Sequence, residues 1–402
     1  MNSVGIDISK GKSMVAIMRP FGEVVASPYE ISHSAKDLRG LIDFINGLDG
    51  ETRVVMEYTG AYYTPVAHVL YEAGIFVSVV NAILIHNYNG NSIRRVKTDK
   101  KDAIKIATYG LERWVDLVRY VPEDDLRRTL KIYNRQYDKY LKMKTTLSNN
   151  LISLLDQTFP DIQDLLTSAP RKSDGHVKWI DFISTFWHCE CVCGLSPKAF
   201  KIRYLKWCKK NGYLYNESKA EKIYIEACGN VGMLPKNEFT KNLIVQAAAQ
   251  VTSIAGALMV LTQEMNRLAS QLPEYSIVMD MFGVGEKLGP QLIAEIGDVR
   301  RFMRKQSLVA YAGIDAPPYQ SGTFESHSRK ISKRGSPRLR KALFQVMICT
   351  LQQSKMDDPI FQFLDKKRKE GKHYYVYMTA GSNKFLRIYY ARVKAYLEQI
   401  VA

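Results

Sequence analysis

Short apolar runs separated by turn residues fill about the first 85 positions of the chain. Three runs of strand length come first, and the glycine and proline residues between them suit a meander. Segments with helical periodicity then alternate with apolar strands. The predicted elements are strands over 4–8, 13–18 and 23–27, a helix over 35–48, a strand over 54–56, a helix over 62–72 and a strand over 76–80. This is the order of an RNase H-like α/β domain.

A heptad pattern begins at Leu126. Apolar residues recur there at alternating spacings of four and three, with one interruption at Lys144, and Pro160 ends the run. Such a seam predicts a long helix that packs against a second helix. The partner is either another segment of this chain, in a helical hairpin, or a second copy in a coiled coil, and we favour oligomerisation. The seam comprises Leu126, Leu130, Tyr133, Tyr137, Tyr140, Leu147, Leu151 and Leu154.

The rest of the chain is predicted to be mostly helical. A continuous apolar face over 240–272 indicates one long helix, which Pro273 ends. The chain therefore divides into five parts. These are an RNase H-like α/β domain over 1–120, a coiled-coil helix over 121–160, a basic helical segment over 161–240, a connecting helix over 241–275 and a mostly α C-terminal domain over 276–402.

The basic helical segment also holds a cluster of cysteines. Alternate residues are cysteine in the run from His188 to Cys193. Structural zinc sites usually place two cysteines two to four residues apart and repeat the pair later, and no second pair follows here. We therefore expect buried free thiols in preference to zinc.

Charge adds a class of partner. The 402 residues carry a formal net charge of +17, from 57 Lys and Arg against 40 Asp and Glu. A charge of this size on a folded chain indicates a polyanion, with nucleic acid favoured over the alternative of a merely basic enzyme. No apolar run reaches the roughly 18 residues of a membrane span. With no signal-peptide pattern and no disulfide framework, a reducing cytoplasm is the expected location.

Four carboxylates are candidates for a metal site. Asp7 and Glu57 each end a predicted strand, and the first and fourth strands of an RNase H-like sheet are neighbours. Asp99 and Asp102 are three residues apart and share one helix face. Mg²⁺ prefers oxygen ligands and leaves positions for water and phosphate. Taken singly, these acids suit a turn cap and a helix start; taken together, they favour a Mg²⁺ site that acts on a phosphodiester.

The C-terminal domain offers candidate contacts to phosphate. The turn Gly283–Gly285 opens a short apolar helix, which suits either a helix–hairpin–helix that approaches a DNA phosphate or a plain turn between helices. Basic clusters over 300–305 and 329–341 flank a stretch without Lys or Arg. The candidate nucleic-acid contacts are Lys97, Gly283, Gly285, Arg329, Lys330, Lys333, Arg334, Arg338 and Arg340.

The stretch between the basic clusters contains hydroxyl groups that could attack phosphorus. A serine nucleophile would store the bond energy in a phosphoserine ester, and the flanking cations would neutralise the developing charge. On chemistry alone several nucleophiles are possible, and a plain polar turn is the alternative. The candidates are Tyr319, Ser321 and Ser326.

Motifs over nearly the whole chain, in the same order, resemble those of the DEDD-type transposases of the insertion-sequence family numbered one-ten. That family is related to the Piv invertases and is known as bridge-RNA-guided recombinases. The matching motifs are Gly5–Lys10, Met56–Gly60, Lys97–Ala103, Gly283–Gly285, Ala294–Asp298, Ala310–Ile314, Gln320–Gly322, Ile331–Gly335, Leu339–Arg340, Gly371–Lys372 and Asn383–Arg387.

The resemblance implies a RuvC-like RNase H domain, a coiled-coil connection and a transposase domain. It assigns the metal-binding quartet to Asp7, Glu57, Asp99 and Asp102 and the nucleophile to Ser321. It further implies a dimer of dimers, in which the quartet of one protomer acts with the serine of another. A structured non-coding RNA would pair with donor and target DNA. Segment 161–230 is longer than in compact members and receives no role.

The expected activity is thus site-specific DNA recombination through a covalent DNA–serine link. Two other classes of function remain open. A metal-dependent, junction-resolving nuclease would act without a covalent intermediate, and a non-catalytic scaffold would bind nucleic acid without needing its carboxylates.

Overall fold

A computed structural model describes residues 1–88, 98–171, 173–318, 320–321, 324–325 and 329–401. It divides the chain into two compact units, Met1–Pro122 and Glu123–Ala402.

The first unit is built on a five-stranded mixed sheet. The strands are β1 (Asn2–Ile8), β2 (Lys12–Met18), β3 (Val24–Ser32), β4 (Thr52–Glu57) and β5 (Phe76–Val80). Their order is β3-β2-β1-β4-β5, with β1 antiparallel to β2 and parallel to β4. The β2–β3 pair is antiparallel and the β4–β5 pair parallel. This topology is the RNase H-like fold that the strand pattern predicted.

Helices cover both faces of this sheet. They are α1 (Ala35–Asn46), α2 (Tyr63–Glu72), α3 (Ala82–Asn87) and α4 (Asp99–Glu112). α1 and α2 pack on one face, where Val4 and Ile6 of β1 join Leu41 and Leu70 in a buried cluster. α4 crosses the other face. A central strand buried on both sides needs apolar or small residues, as β1 has over Ser3–Ile6.

Gly5 allows α4 to lie directly on β1. A Cβ added at Gly5 would lie under 3.0 Å from backbone atoms of Ala103 and Ala107, which cannot move without displacing the helix. We expect Gly5→Ala to lower the free energy of unfolding by about 1–3 kcal/mol, as overpacking does. Denaturant unfolding of the full chain measures the change.

Gly40 on α1 provides the matched control for Gly5. A Cβ added there meets nothing within 4 Å. Gly40→Ala should therefore raise stability by about 0.5–1 kcal/mol, because alanine is the better helix former. Equal effects at the two glycines would contradict the close packing of α4 on β1.

A pair of long antiparallel helices runs through the second unit. They are α5 (Asp125–Leu155) and α11 (Glu238–Ala269). Leu130 of α5 shares a buried cluster with Met265 of α11, and Leu151 shares another with Ile244, so the two helices run in opposite directions. The heptad seam thus packs within the chain. This is the helical hairpin that the pattern left open, with α11 as the described partner, and a role of the seam in oligomerisation stays a prediction.

α11 is also long and apolar enough to cross a membrane, by length and composition alone. A helix that lies within a folded unit can have the same composition, and α11 packs along α5. Its apolar character is therefore accounted for in part by the helical pair.

The segment between α5 and α11 forms a compact group of short helices. They are α6 (Ile162–Leu165), α7 (Lys178–Ile183), α8 (Glu190–Cys193), α9 (Pro197–Asn211) and α10 (Glu217–Gly229). Their core is aromatic, with Phe182, Phe186 and Tyr204 fully buried. Of the five cysteines in this segment, Cys189 and Cys208 are buried, Cys191 and Cys193 are half-buried and Cys228 is exposed, so burial was predicted correctly for two of them. The core of this group continues onto the adjoining ends of α5 and α11.

The C-terminal part is mostly helical, as predicted. Its elements are α12 (Tyr275–Met279), α13 (Leu288–Ile296), α14 (Lys305–Ala312), β6 (Gln320–Ser321), β7 (Phe324–Glu325), α15 (Pro337–Gln353), α16 (Pro359–Lys369) and α17 (Tyr374–Val401). Leu292, Leu343 and Phe385 from three of the helices meet in one core. The strands β6 and β7 form a two-stranded hairpin.

Candidate active site and nucleic-acid interface

Asp7 and Glu57 lie next to each other at the edge of the sheet that is formed by the carboxyl ends of the central strands β1 and β4. β1 and β4 run parallel, and their register ends with Ile6 opposite Met56, so Asp7 and Glu57 each follow by one position. Both side chains are half-buried. The strand order thus brings together the two carboxylates that were expected to meet at the carboxyl ends of neighbouring strands.

The direction of α4 is fixed by its contacts with β1. Gly5 of β1 lies against Ala103, near the start of α4, whereas Ser3 lies against Gly110, near its end. α4 therefore runs antiparallel to β1. Side chains alternate along a strand, so Asp7 faces the same side as Gly5, which is the side that α4 covers.

Asp99 and Asp102 occupy the first turn of α4. The hydroxyl of Thr98 caps this turn by accepting a backbone hydrogen bond at 3.3 Å. Asp99 is exposed and Asp102 is half-buried. Because α4 runs antiparallel to β1 and Ala103 lies against Gly5, the residues before Ala103 lie beside the carboxyl end of β1, where Asp7 is. All four acids therefore lie at one edge of the first unit.

Lys12 is a cation at this edge to which the sequence pattern gave no role. It begins β2, on the same sheet face as Asp7, because Asp7 pairs with Met14 across the hairpin. Its Nζ lies 2.8 Å from Glu30 Oε2. This hydrogen bond and the charge of Glu30 raise the pKa of Lys12, and the Asp99 carboxylate adds to the effect. The influence of Asp99 agrees with its placement beside the β1–β2 turn.

The donor set of the four acids fits a hard cation. Carboxylate oxygens at a sheet edge, partly open to solvent, are ligands that Mg²⁺ accepts together with water and phosphate. Within the part of the chain that the structure describes, no group of three or more His, Cys, Asp or Glu side chains is placed to hold a metal ion. The backbone thus gathers the four positions, while the side chains do not converge on one point.

Ser321 lies on the β6–β7 hairpin. It pairs with Phe324, and Gln320 pairs with Glu325. The segment predicted as a cation-free loop therefore contains short strands around Ser321. The other candidate nucleophiles, Tyr319 and Ser326, lie outside the described residues.

The loop over 329–336, called the basic loop below, presents the first part of the second basic cluster, and hydrogen bonds hold it in place. Its backbone is tied down where Ser332 N donates to Asp315 O at 2.8 Å and Ser336 N donates to Tyr311 O at 2.7 Å. Lys333 has a left-handed backbone, with φ of 54°. The side chains of Lys333 and Arg334 are exposed, and neither has an ion-pair partner among the described residues. Two cations are thus displayed on a rigid backbone.

Other predicted nucleic-acid contacts have roles inside the protein. Arg340 is half-buried, and its Nη1 donates to Ala312 O at 2.9 Å, so it supports the basic loop from behind. Arg338 Nε lies 3.1 Å from Asp138 Oδ2 of α5. Arg340 and Arg338 thus have contacts within the protein, and their assignment as phosphate contacts stays a prediction. Arg329 and Lys330 are exposed, and Lys97 lies outside the described residues.

The two glycines of the α12–α13 turn differ. Gly283 is buried with φ of 79°, and a Cβ there would lie under 3.0 Å from the Thr350 hydroxyl of α15. Close packing and backbone conformation explain this glycine, so its assignment as a phosphate contact is corrected. Gly285 is exposed and has nothing within 4 Å of an added Cβ. Only Gly285 keeps the open approach that a phosphate contact requires.

Glu295 is a buried acid within one of the family motifs, and no role was predicted for it from the sequence. Its side chain is 4% exposed. Oε1 accepts a hydrogen bond from Asn134 of α5 at 2.9 Å, and Oε2 accepts one from Ser336 at 2.8 Å. Ser336 caps α15 directly after the basic loop. Glu295 thus links α5 to the start of α15, and an acid in the mostly apolar run of α13 was the sequence signal for it.

Comparison with known proteins gives two family matches. A model of the DEDD transposases of IS110, described as transposase, matches residues 4–160. A second, described as the transposase IS116/IS110/IS902 family, matches residues 275–361. Together they span more than half of the chain.

Individual relatives agree with these matches. Pilin gene-inverting proteins of Moraxella lacunata and Moraxella bovis are each 23% identical over 85% of this chain and 80% of their own length. The insertion element IS116 uncharacterized 44.8 kDa protein of Streptomyces clavuligerus is 23% identical over 79% of this chain and 77% of its own.

Two RuvC structures from Thermus thermophilus are similar over part of this chain. One, in complex with a Holliday junction substrate, has a TM-score of 0.23 and 11% identity over 29% of this chain and 96% of its own. The other has a TM-score of 0.22 and 13% identity over 30% of this chain and 100% of its own. The RNase H-like assignment follows from the strand order itself. From its two family matches, the chain belongs to the IS116/IS110/IS902 family of transposases and is a DNA-rearranging enzyme.

Proposed function

We propose that this protein is a site-specific DNA recombinase that cleaves and rejoins DNA through Ser321, with Asp7, Glu57, Asp99 and Asp102 as its metal-binding acids. The observation that supports the proposal is that Asp7 and Glu57 follow neighbouring parallel strands, with Asp99 and Asp102 in the first turn of the helix that packs on β1, in a chain of the transposase family. A Mg²⁺ ion bound there would polarise the phosphate and stabilise charge on its oxygens.

The chemistry assigned to the serine is a balanced exchange of esters. The Ser321 hydroxyl loses its proton as Oγ bonds to phosphorus, and the deoxyribose oxygen that leaves takes up a proton. The reverse attack by a deoxyribose hydroxyl on the phosphoserine ester rejoins the strand without an external energy source. Cations such as Lys333 and Arg334 would hold the DNA backbone nearby.

Partners beyond DNA are also part of the proposal. The family resemblance supports a structured guide RNA that pairs with donor and target DNA, and a homo-oligomer that is a dimer of dimers. The net charge of +17 supports a polyanionic partner of either kind. Such an enzyme would work in the bacterial cytoplasm, where its DNA lies.

Trapping the covalent link tests the proposal. The protein is incubated with donor and target DNA, its guide RNA and Mg²⁺, denatured, and digested for mass spectrometry. A nucleotide attached to the peptide that contains Ser321 is the expected result. The alternative is a metal-dependent junction-resolving nuclease, which would give cleaved DNA with free ends and no adduct.

The exposed cations of the basic loop lead to a binding prediction. Lys333→Ala or Arg334→Ala should weaken DNA affinity and reduce the slope of log K against log salt by about one unit for each phosphate that is no longer bound. Fluorescence anisotropy across a salt series measures the slope. Lys341→Ala is the control, because its Nζ lies 3.2 Å from Asp138 Oδ1. An unchanged slope for both variants would remove this loop from the phosphate-binding surface.

A further inference from the structure

Helix α9 in the middle segment has an unusual charge distribution. It contains six cations and no acid within the fifteen residues Pro197–Asn211. Neither family match includes it, since the two matches cover residues 4–160 and 275–361. The cations are Lys198, Lys201, Arg203, Lys206, Lys209 and Lys210.

The inner face of α9 fixes which way these cations point. Phe200 and Tyr204 are fully buried and Trp207 is 6% exposed. Their rings stack in sequence, with centroids 5.9 Å apart for the first pair and 5.8 Å for the second. Trp207 stacks in turn on Tyr213, at 5.4 Å. A helix anchored by three aromatic residues cannot roll, so its outward face is defined.

Four of the six cations lie on the outward face and two are engaged, with the Arg203 guanidinium over the ring of Phe186, 5.4 Å from its centroid. Lys201 Nζ lies 2.9 Å from Glu217 Oε1 and 2.6 Å from Glu221 Oε1 of α10. The others are exposed, and none of them has an ion-pair partner in the portion of the chain that the structure describes. The outward basic face of α9 comprises Lys198, Lys206, Lys209 and Lys210.

Helix stability explains only part of this face. Lys209 and Lys210 lie in the last turn, where the helix dipole favours cations. Lys198 lies in the first turn, where the dipole disfavours them. Lys206 also has like charges at positions three and four residues away, which weakens the helix. These charges lower the stability of α9, so we infer that they serve to bind an anionic ligand that neutralises them.

We propose that the outward basic face of α9 binds the phosphate backbone of duplex DNA, as a binding surface additional to the parts of the chain that the family models match. The proposal rests on the proposed function only in taking DNA as the substrate. Duplex DNA carries one negative charge per about 1.7 Å of axis, and α9 is about 22 Å long, so several phosphates fall within its reach. Contacts of this kind hold DNA without reading its sequence.

The test removes three of these charges from the full-length protein. The triple variant Lys198→Gln, Lys206→Gln and Lys210→Gln is titrated with a duplex of arbitrary sequence over roughly 50 to 200 mM salt. We expect the slope of log K against log salt to fall by about two to three units, with affinity at least about tenfold lower at the upper salt concentrations. The substituted side chains are exposed, and circular dichroism verifies that the variant is folded.

Two control variants make the result specific. Lys201→Gln, on the same helix but engaged by α10, should leave the slope unchanged. The triple variant with arginine at positions 198, 206 and 210 should bind as the wild type does, because arginine also contacts phosphate. An unchanged slope in the glutamine variant, or an equal loss with Lys201→Gln, would overturn the proposal. So would a loss seen with a structured RNA but not with duplex DNA.

This outcome is separable from that of the recombinase proposal. At saturating DNA the glutamine variant should still form the covalent adduct, because α9 carries none of the proposed reacting groups. Weakened binding with the adduct retained supports the α9 surface whether or not the adduct forms on Ser321. Lack of any adduct in the wild type contradicts the recombinase mechanism. The salt dependence of binding then still tests whether α9 contacts DNA.

Discussion

Ser321→Ala should abolish the covalent DNA adduct and strand cleavage, while DNA affinity stays within about twofold of the wild type. The substitution removes one hydroxyl, which is the proposed nucleophile, and alanine is smaller than serine and fits a strand position such as that in β6. Loss of a nucleophile typically lowers a reaction by several orders of magnitude. Denaturing gels measure the adduct and the cleaved strand, and anisotropy measures binding.

Ser307→Ala is the matched control for the nucleophile. Ser307 is an exposed serine on α14, in the same half of the chain. It should behave as the wild type in all assays. Cleavage that persists in Ser321→Ala without an adduct would show that water is the nucleophile, as in a junction-resolving nuclease. Loss of both cleavage and binding would instead indicate that Ser321 has a structural role in the β6–β7 pair.

Asp102→Asn is expected to reduce strand cleavage by at least about a hundredfold. Asparagine keeps the size of the side chain and is tolerated near a helix start, so the first turn of α4 should be retained. It removes one negative charge from a set of ligands that would hold Mg²⁺, and metal-assisted phosphoryl chemistry depends on that charge. DNA affinity should stay the same or rise slightly, because one acid near the phosphate is gone.

The control for Asp102 lies at the opposite end of the same helix. Glu112 is exposed in the last residue position of α4. Glu112→Gln removes the same charge and should leave cleavage unchanged. A Mg²⁺ titration adds a second readout, because Asp102→Asn should need more Mg²⁺ for half-maximal activity. Full activity of Asp102→Asn at low Mg²⁺ would remove Asp102 from the set of metal-binding acids.

The sheet of the first unit could be predicted because its pattern is local. Each strand is a short apolar run bounded by turn residues, and the order of strands and helices leaves few topologies. The adjacency of Asp7 and Glu57 followed from that order. The direction of α4 could not be read in the same way, because it depends on Gly5 accepting the helix backbone, which is a contact between distant parts of the chain.

The features that the sequence pattern did not predict share this origin in contacts between distant residues. A heptad seam has the same spacing whether its partner is α11 or a second protomer, so the seam from Leu126 could not distinguish them. Arg340 looked like a phosphate contact because it lies in a basic cluster, but its guanidinium is directed to Ala312 O. Gly283 looked like an open turn, but Thr350 lies against it. Lys333 and Arg334 are exposed, so contacts with distant residues of the chain do not occupy their side chains.

The position of the short helices α6 to α10 has a consequence for how such chains diversify. They are inserted between the end of α5 and the start of α11, and these two ends adjoin in one core. An insertion whose two attachment points are close together can be lengthened, replaced or removed while the paired helices remain. The length of this insertion can therefore vary independently of the segments that carry the proposed metal-binding acids and the proposed nucleophile. An inserted segment at this position can add a substrate-binding surface to the enzyme while the residues proposed for catalysis stay unchanged.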